Sequence, residues 1–88
     1  MYKSNSYNFF QGIFLIEEHD FSGLKCPLPV LKAKRVLKNL EKGQKVTFIS
    51  DDPASPIDFS HFCEHEGYSL SIKTTELGKH YFTLFRKL

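Results

Sequence analysis

The sequence predicts an α/β two-layer sandwich with the element order β-α-β-α-β-β, a mixed four-stranded sheet and both helices on one face. Three features point to it. Two segments with apolar residues at helical spacing each follow a short, β-rich apolar run. Pro stands near the start and Gly past the end of each helical segment, as the chemistry of helix ends favours. The C-terminal segment alternates apolar and polar residues on both sides of a Gly-containing turn, the pattern of a hairpin.

Taken in order, Ile13-Phe14-Leu15-Ile16 followed by Glu17-Glu18-His19-Asp20 reads as a first strand running into a turn at Gly23. Over residues 27–40, Val30, Ala33, Val36, Leu37 and Leu40 recur at three- and four-residue intervals, with Lys32, Arg35 and Asn39 on the opposite side, so an amphipathic helix is expected. Gly43 should stop it, with Lys38 and Lys42 near the negative end of its dipole. Val46-Thr47-Phe48-Ile49 reads as a buried strand parallel to the first, which a helical crossover permits. Ser55-Pro56-Ile57-Asp58 has the form of a capping box, with Ser55 as N-cap, Pro56 at the first helical position and the Asp58 carboxylate returning toward the cap. That second helix should run to about residue 66, with Ile57, Phe59, Phe62 and Cys63 on or near its inner face, and end at Gly67. Tyr68, Leu70 and Ile72 alternate with Ser69, Ser71 and Lys73, residues 76–79 turn at Gly78, and residues 81–85 return as the hairpin's second strand.

The 88 residues make one domain with a modest core, and a 41% hydrophobic share with nine phenylalanines excludes a disordered chain. Residues 13–88 are read as that domain. Residues 1–12, rich in Ser, Asn and aromatics without clean periodicity, read as a poorly ordered arm or an added strand. No apolar run approaches the ~20 residues that span a bilayer and no signal sequence opens the chain, so no membrane association and a cytoplasmic location are expected. The two cysteines are far apart and not in a C-x-x-C arrangement, which argues against a dithiol redox motif or a disulfide framework.

The net charge of +2 hides an asymmetry. Residues 21–49 hold Lys25, Lys32, Lys34, Arg35, Lys38, Lys42 and Lys45 against a single Glu41, whereas residues 50–66 hold Asp51, Asp52, Asp58, Glu64 and Glu66 with no Lys or Arg. One helix is therefore basic and the other acidic. A solvated face is the commoner meaning of such a run, but here it lies directly behind a cysteine and would also steer an acidic partner surface toward it.

That cysteine is Cys26, within Gly23-Leu24-Lys25-Cys26-Pro27-Leu28-Pro29-Val30. Pro27 suits the first helical position, where its missing N–H costs nothing, and this makes Cys26 the expected N-cap. Pro29 is tolerated in the same turn, and Gly23 supplies a flexible or positive-φ corner. The positive end of the helix dipole and the charge of Lys25 both favour thiolate over thiol. The two prolines delete first-turn N–H groups and leave mainly that of Leu28 to meet the sulfur, so only moderate activation is expected. A lone cysteine is ordinarily a small residue without chemistry. Two prolines and a glycine placed to present it weigh the other way.

Together with Asp51-Asp52-Pro53-Ala54-Ser55, Asp58, Phe62-Cys63 and Gly67-Tyr68, this Cys-Pro-x-Pro segment and its basic helix resemble the TusA/SirA-like family of small sulfur carriers over residues 14–88. The resemblance implies the same two-layer fold and sulfur carried as a persulfide on Cys26, with no other cofactor and no metal. It also implies a cysteine desulfurase or similar donor and a downstream acceptor protein, in tRNA thiolation, molybdenum-cofactor assembly or sulfur oxidation. With no dedicated base in view, the chain reads as a carrier taking part in transferase chemistry and not as a free-standing enzyme. Lys25, Pro27, Pro29, Lys32, Arg35, Asp51 and Asp52 are the candidates for positioning the thiol or docking a partner.

Several residues admit two readings. Asp51 and Asp52 either shape a partner surface beside Cys26, at the sheet edge where α/β proteins place their sites, or are turn formers before Pro53. Negative charge near the thiol would oppose the helix effect. Cys63, on the inner face of the second helix, is expected to be a core residue. His61 and His65 are spaced i, i+4 but lack an H-E-x-x-H motif or a third dedicated ligand, and are expected to face solvent; His19 and His80 carry no motif. The alternative function is a regulatory protein-interaction module without sulfur chemistry. Direct nucleic-acid binding is not expected, because the basic residues lack the Arg and aromatic interleaving of RNA platforms.

Overall fold

In the computed structural model, which describes residues 16–41 and 43–86, six elements follow in the predicted order. They are β1 (Ile16–Asp20), α1 (Leu28–Leu37), β2 (Lys45–Ser50), α2 (Ser55–Glu66), β3 (Tyr68–Thr74) and β4 (His80–Arg86). The sheet order is β1-β2-β4-β3. β1 runs parallel to β2, as a helical crossover allows, and β4 is antiparallel to both β2 and β3.

Side-chain alternation fixes the layers. Val46 and Phe48 of β2 face Leu84 and Phe82 of β4 across the ladder, so all four project from one side of the sheet. Ala33 and Leu37 of α1 and Phe59 and Cys63 of α2 complete the same buried cluster, which places both helices on that side. Aromatic rings tie the layer together: Phe48 lies 5.5 Å from Phe21 and 5.9 Å from Phe59, and Phe59 lies 4.3 Å from Phe82, centroid to centroid.

Three local expectations are corrected, and one is met as far as it is described. The first strand is seen at Ile16–Asp20, carrying Glu17, Glu18 and Asp20, while the expected residues 13–15 and the arm at residues 1–12 lie outside the described residues. An edge position accommodates such charge, and His19 stacks on Phe48 at 5.7 Å while its Nε2 meets Glu17 at 2.7 Å. α1 stops at Leu37, short of residue 40, because the chain tightens into three-residue turns, with the Leu40 N–H donating to the Leu37 carbonyl. Leu40 still enters the core from this turn, at 5% exposure, and Gly43, with φ +83°, bends the chain toward β2 and does not end the helix. Ile57 is 63% exposed because the inner stripe of α2 is Ser55, Phe59 and Cys63, and a residue two positions from Phe59 lies about 200° around the helix.

The capping box also fails to form. Ala54 is the N-cap of α2 without a side-chain cap bond, and Ser55 turns its hydroxyl back to the Asp52 carbonyl at 2.6 Å. The other end is as expected: Gly67, at φ +83°, donates its N–H to the Cys63 carbonyl at 2.9 Å. No helix among the described residues is long and apolar enough to cross a membrane. Because β1 and β2 are parallel neighbours, the loops leaving their C-terminal ends, before α1 and before α2, emerge side by side.

Candidate active site

The parallel pairing of β1 with β2 extends past the strand end, where the Phe21 N–H donates to the Ile49 carbonyl at 2.8 Å. The chain then turns sharply. Ser22 N–H is accepted by the Asp20 carboxylate at 2.9 Å, Leu24 N–H by the Phe21 carbonyl at 3.1 Å, and Gly23 sits at φ +88°, which favours a residue without Cβ. The neighbouring loop secures this turn from outside. Asp51 Oδ1 accepts the Gly23 N–H at 3.0 Å and Asp52 Oδ2 accepts the Cys26 N–H at 3.1 Å. Asp52 is itself held, being 8% exposed and donating its own backbone N–H to Ser50 Oγ at 3.2 Å. Both aspartates thus hydrogen-bond backbone, as turn formers do, but the backbone belongs to the cysteine loop and not to their own.

The helix register is one residue later than expected. Pro27 is the N-cap of α1, with φ −100° and ψ 17°, and Cys26 stands one position before it, joined by a cis peptide. The Leu31 N–H makes the first helical bond to the Pro27 carbonyl, and the Leu28 N–H is spent on the Lys25 carbonyl at 2.7 Å. The one first-turn donor expected to meet the sulfur is therefore occupied. Pro29 is buried and seats the first turn in the core, while Lys25, Pro27, Lys32, Arg35 and Asp51 are exposed.

Cys26 is exposed, and its Sγ donates to Asp58 Oδ2 at 2.7 Å. This reverses the expected activation. The hydrogen bond to Asp58 pushes the thiol up from its ordinary value, with desolvation and the negative charges of Asp58 and Asp52 acting in the same direction. Asp58 is the site residue that sequence reasoning missed. Its position three residues after Ser55 suggested a cap, and the released carboxylate instead reaches across to the thiol of the neighbouring loop. The Cys26 sulfur and carboxylate oxygens of Asp52 and Asp58 lie within 4.8 Å of one another. Each already takes part in a hydrogen bond within the loops, so the cluster is that of a hydrogen-bonded thiol.

The other candidates lie apart from the thiol. His61 and His65 line an open depression between the helices with Val30, Lys34, Phe62, Glu64 and Glu66, and both are exposed. Lys34 contributes there by placing its ammonium 5.6 Å from the Phe62 ring centroid. Cys63 is 2% exposed, and burial pushes its thiol up to about 12. Because the folded value lies above the ordinary 9.0, the proton that the native state retains stabilises the fold fully below about pH 9, and this contribution is lost as pH rises toward 12. The stability difference between wild type and Cys63→Ala in urea unfolding is accordingly expected to shrink across that window, by up to about 1.4 kcal/mol per pH unit.

Residues 17–86 match the family described as Sulfurtransferase TusA. The chain is 41% identical over 68 residues to the sulfur carrier protein TusA of Allochromatium vinosum, covering 77% of this chain and 90% of that protein. The crystal structure of a SirA-like protein from Desulfitobacterium hafniense superimposes with a TM-score of 0.71 at 31% identity, covering 80% of this chain and 95% of that one.

Proposed function

This chain belongs to the sulfurtransferase TusA family, and on that premise we propose that it is a sulfur carrier that holds its cargo as a persulfide on Cys26. The observation that carries the reading is the placement of Cys26. It is the exposed thiol of the two, fixed by Asp52 at the edge shared by two parallel strands, while Cys63 is buried. A carrier needs an accessible sulfur on a stiff loop more than it needs a deep pocket.

Loading proceeds by attack of the Cys26 sulfur on the terminal sulfur of a donor persulfide, such as that of a cysteine desulfurase. The donor's S–S bond breaks as the new one forms, the donor cysteine departs as thiolate, and it takes up the proton that Cys26 loses. Delivery repeats the exchange, with Cys26 now the leaving group and an acceptor's nucleophile taking the terminal sulfur. Sulfane sulfur moves with no net oxidation, so the relay calls for no cofactor beyond the covalent sulfur itself. An acceptor in tRNA thiolation and a location in the reducing cytoplasm are consistent with this chemistry.

The surrounding residues take supporting roles in this reading. Asp51 and Asp52 hold the thiol loop, Pro27 and Pro29 set where α1 begins, and Lys25, Lys32 and Arg35 offer positive charge to a docking partner. Exposed Leu28 and Leu31 behind the thiol, with Ile57 beside Asp58, add apolar area that a partner would cover. The test is intact-mass measurement after incubation with a cysteine desulfurase and free cysteine. A reducible gain of one sulfur atom by both wild type and Cys63→Ser is expected. No gain with several donors, or a gain lost in Cys63→Ser, overturns the proposal.

A further inference from the structure

We propose that Asp58 guards the Cys26 thiol, accepting its hydrogen bond so that the free protein presents a protonated, weakly nucleophilic sulfur; the relevance of this guard to sulfur transfer rests on the carrier reading above. The geometry singles out Asp58. Its Oδ2 is 2.7 Å from Sγ, whereas the Oδ2 of Asp52 is spent on the Cys26 backbone N–H at 3.1 Å. Asp58 lies in the first turn of α2, and its own N–H is bonded to the Ala54 carbonyl at 3.1 Å, so the carboxylate is offered from a fixed backbone. The Leu28 N–H is already used by the Lys25 carbonyl and Pro27 and Pro29 have none, so these positions offer the sulfur no competing donor.

The charges around the thiol do not balance in favour of thiolate. From the α2 side comes Asp58, from the loop after β2 come Asp52 and, on the Gly23 N–H, Asp51, and from the cysteine's own loop comes Lys25. The two carboxylates gathered with the sulfur, those of Asp58 and Asp52, are both negative. The thiolate is the form that attacks electrophiles and is oxidised to sulfenic acid, so a carboxylate that holds the proton makes the unloaded carrier slow to be alkylated or oxidised while it diffuses between partners. The guard works through charge and a hydrogen bond, not by burial, and leaves the sulfur open to a docked donor.

The experiment is the pH profile of iodoacetamide alkylation, followed by intact mass in a Cys63→Ser background, for otherwise wild-type protein, Asp58→Asn, Asp58→Ser and Asp52→Asn, each with a circular-dichroism melt to verify folding. Asp58→Asn keeps the shape and removes the charge. It is expected to alkylate roughly threefold or more faster near neutral pH and to move the inflection of the profile to lower pH, with Asp58→Ser following it and Asp52→Asn moving less. A profile for both folded Asp58 variants that coincides with wild type, or a larger movement in Asp52→Asn, overturns the assignment. No sulfur donor is used, so the two proposals fail separately. Coincident profiles with intact sulfur loading remove only the guard, and a shifted profile without loading removes only the carrier.

Discussion

Cys26→Ser is expected to abolish sulfur loading while leaving the fold unchanged. A serine hydroxyl cannot form the persulfide, and the other thiol in the chain cannot take over, because Cys63 is 2% exposed and held protonated, its thiol pushed up to about 12. Serine keeps the backbone N–H that Asp52 accepts, so the loop retains its attachment. With an exposed side chain at stake, the stability change should stay within about 0.5 kcal/mol. Intact mass after desulfurase treatment, paired with a thermal melt, checks both halves. Residual loading in a folded Cys26→Ser protein would move the carrier sulfur elsewhere.

Phe59→Ala is expected to unfold much of the protein. Phe59 is fully buried, with its ring stacked between Phe48 at 5.9 Å and Phe82 at 4.3 Å, so it joins α2 to the two central strands. Truncating such a ring costs about 3–5 kcal/mol, the transfer free energy of the ring plus the cavity left behind. Domains this small have stabilities toward the lower end of about 5–15 kcal/mol, so most of the margin goes with it. Sulfur loading should fall in parallel, since the start of α2 anchors the Asp52 loop that holds the Cys26 backbone. Ile57→Ala on the same helix is the control. At 63% exposure it should change urea-unfolding stability by no more than about 0.5 kcal/mol.

The architecture was legible because its determinants are local. Ala33 and Leu37, Phe59 and Cys63, and the alternation of residues 68–72 report periodicity directly, and Gly67 and Gly78 mark the ends where a positive φ is needed. Cys26 was legible because two prolines and a glycine frame it. What sequence could not supply were the contacts between loops. Asp58 stands 32 residues from the sulfur it bonds, and a carboxylate in a first helical turn has a local partner available, so the cap was the natural inference. The sign of the thiol's shift followed from the same gap. Helix dipole and Lys25 are neighbours in sequence and could be weighed, whereas the carboxylate that outweighs them arrives only through the fold. Placement of Pro27 at the N-cap turned on a single bond, from the Leu31 N–H to the Pro27 carbonyl, and a one-residue shift of register decides it.

The attachment of the thiol loop has a consequence for biosynthesis. Asp51 and Asp52 reach back 28 and 26 residues to grip Gly23 and Cys26, and they can do so only once β1 and β2 lie side by side. A chain still emerging from the ribosome, or one released with its sheet unpaired, has the cysteine but not the corner. The attachment of the loop is thus gained in the same cooperative step as the tertiary structure, and the contact between Cys26 and Asp58 with it.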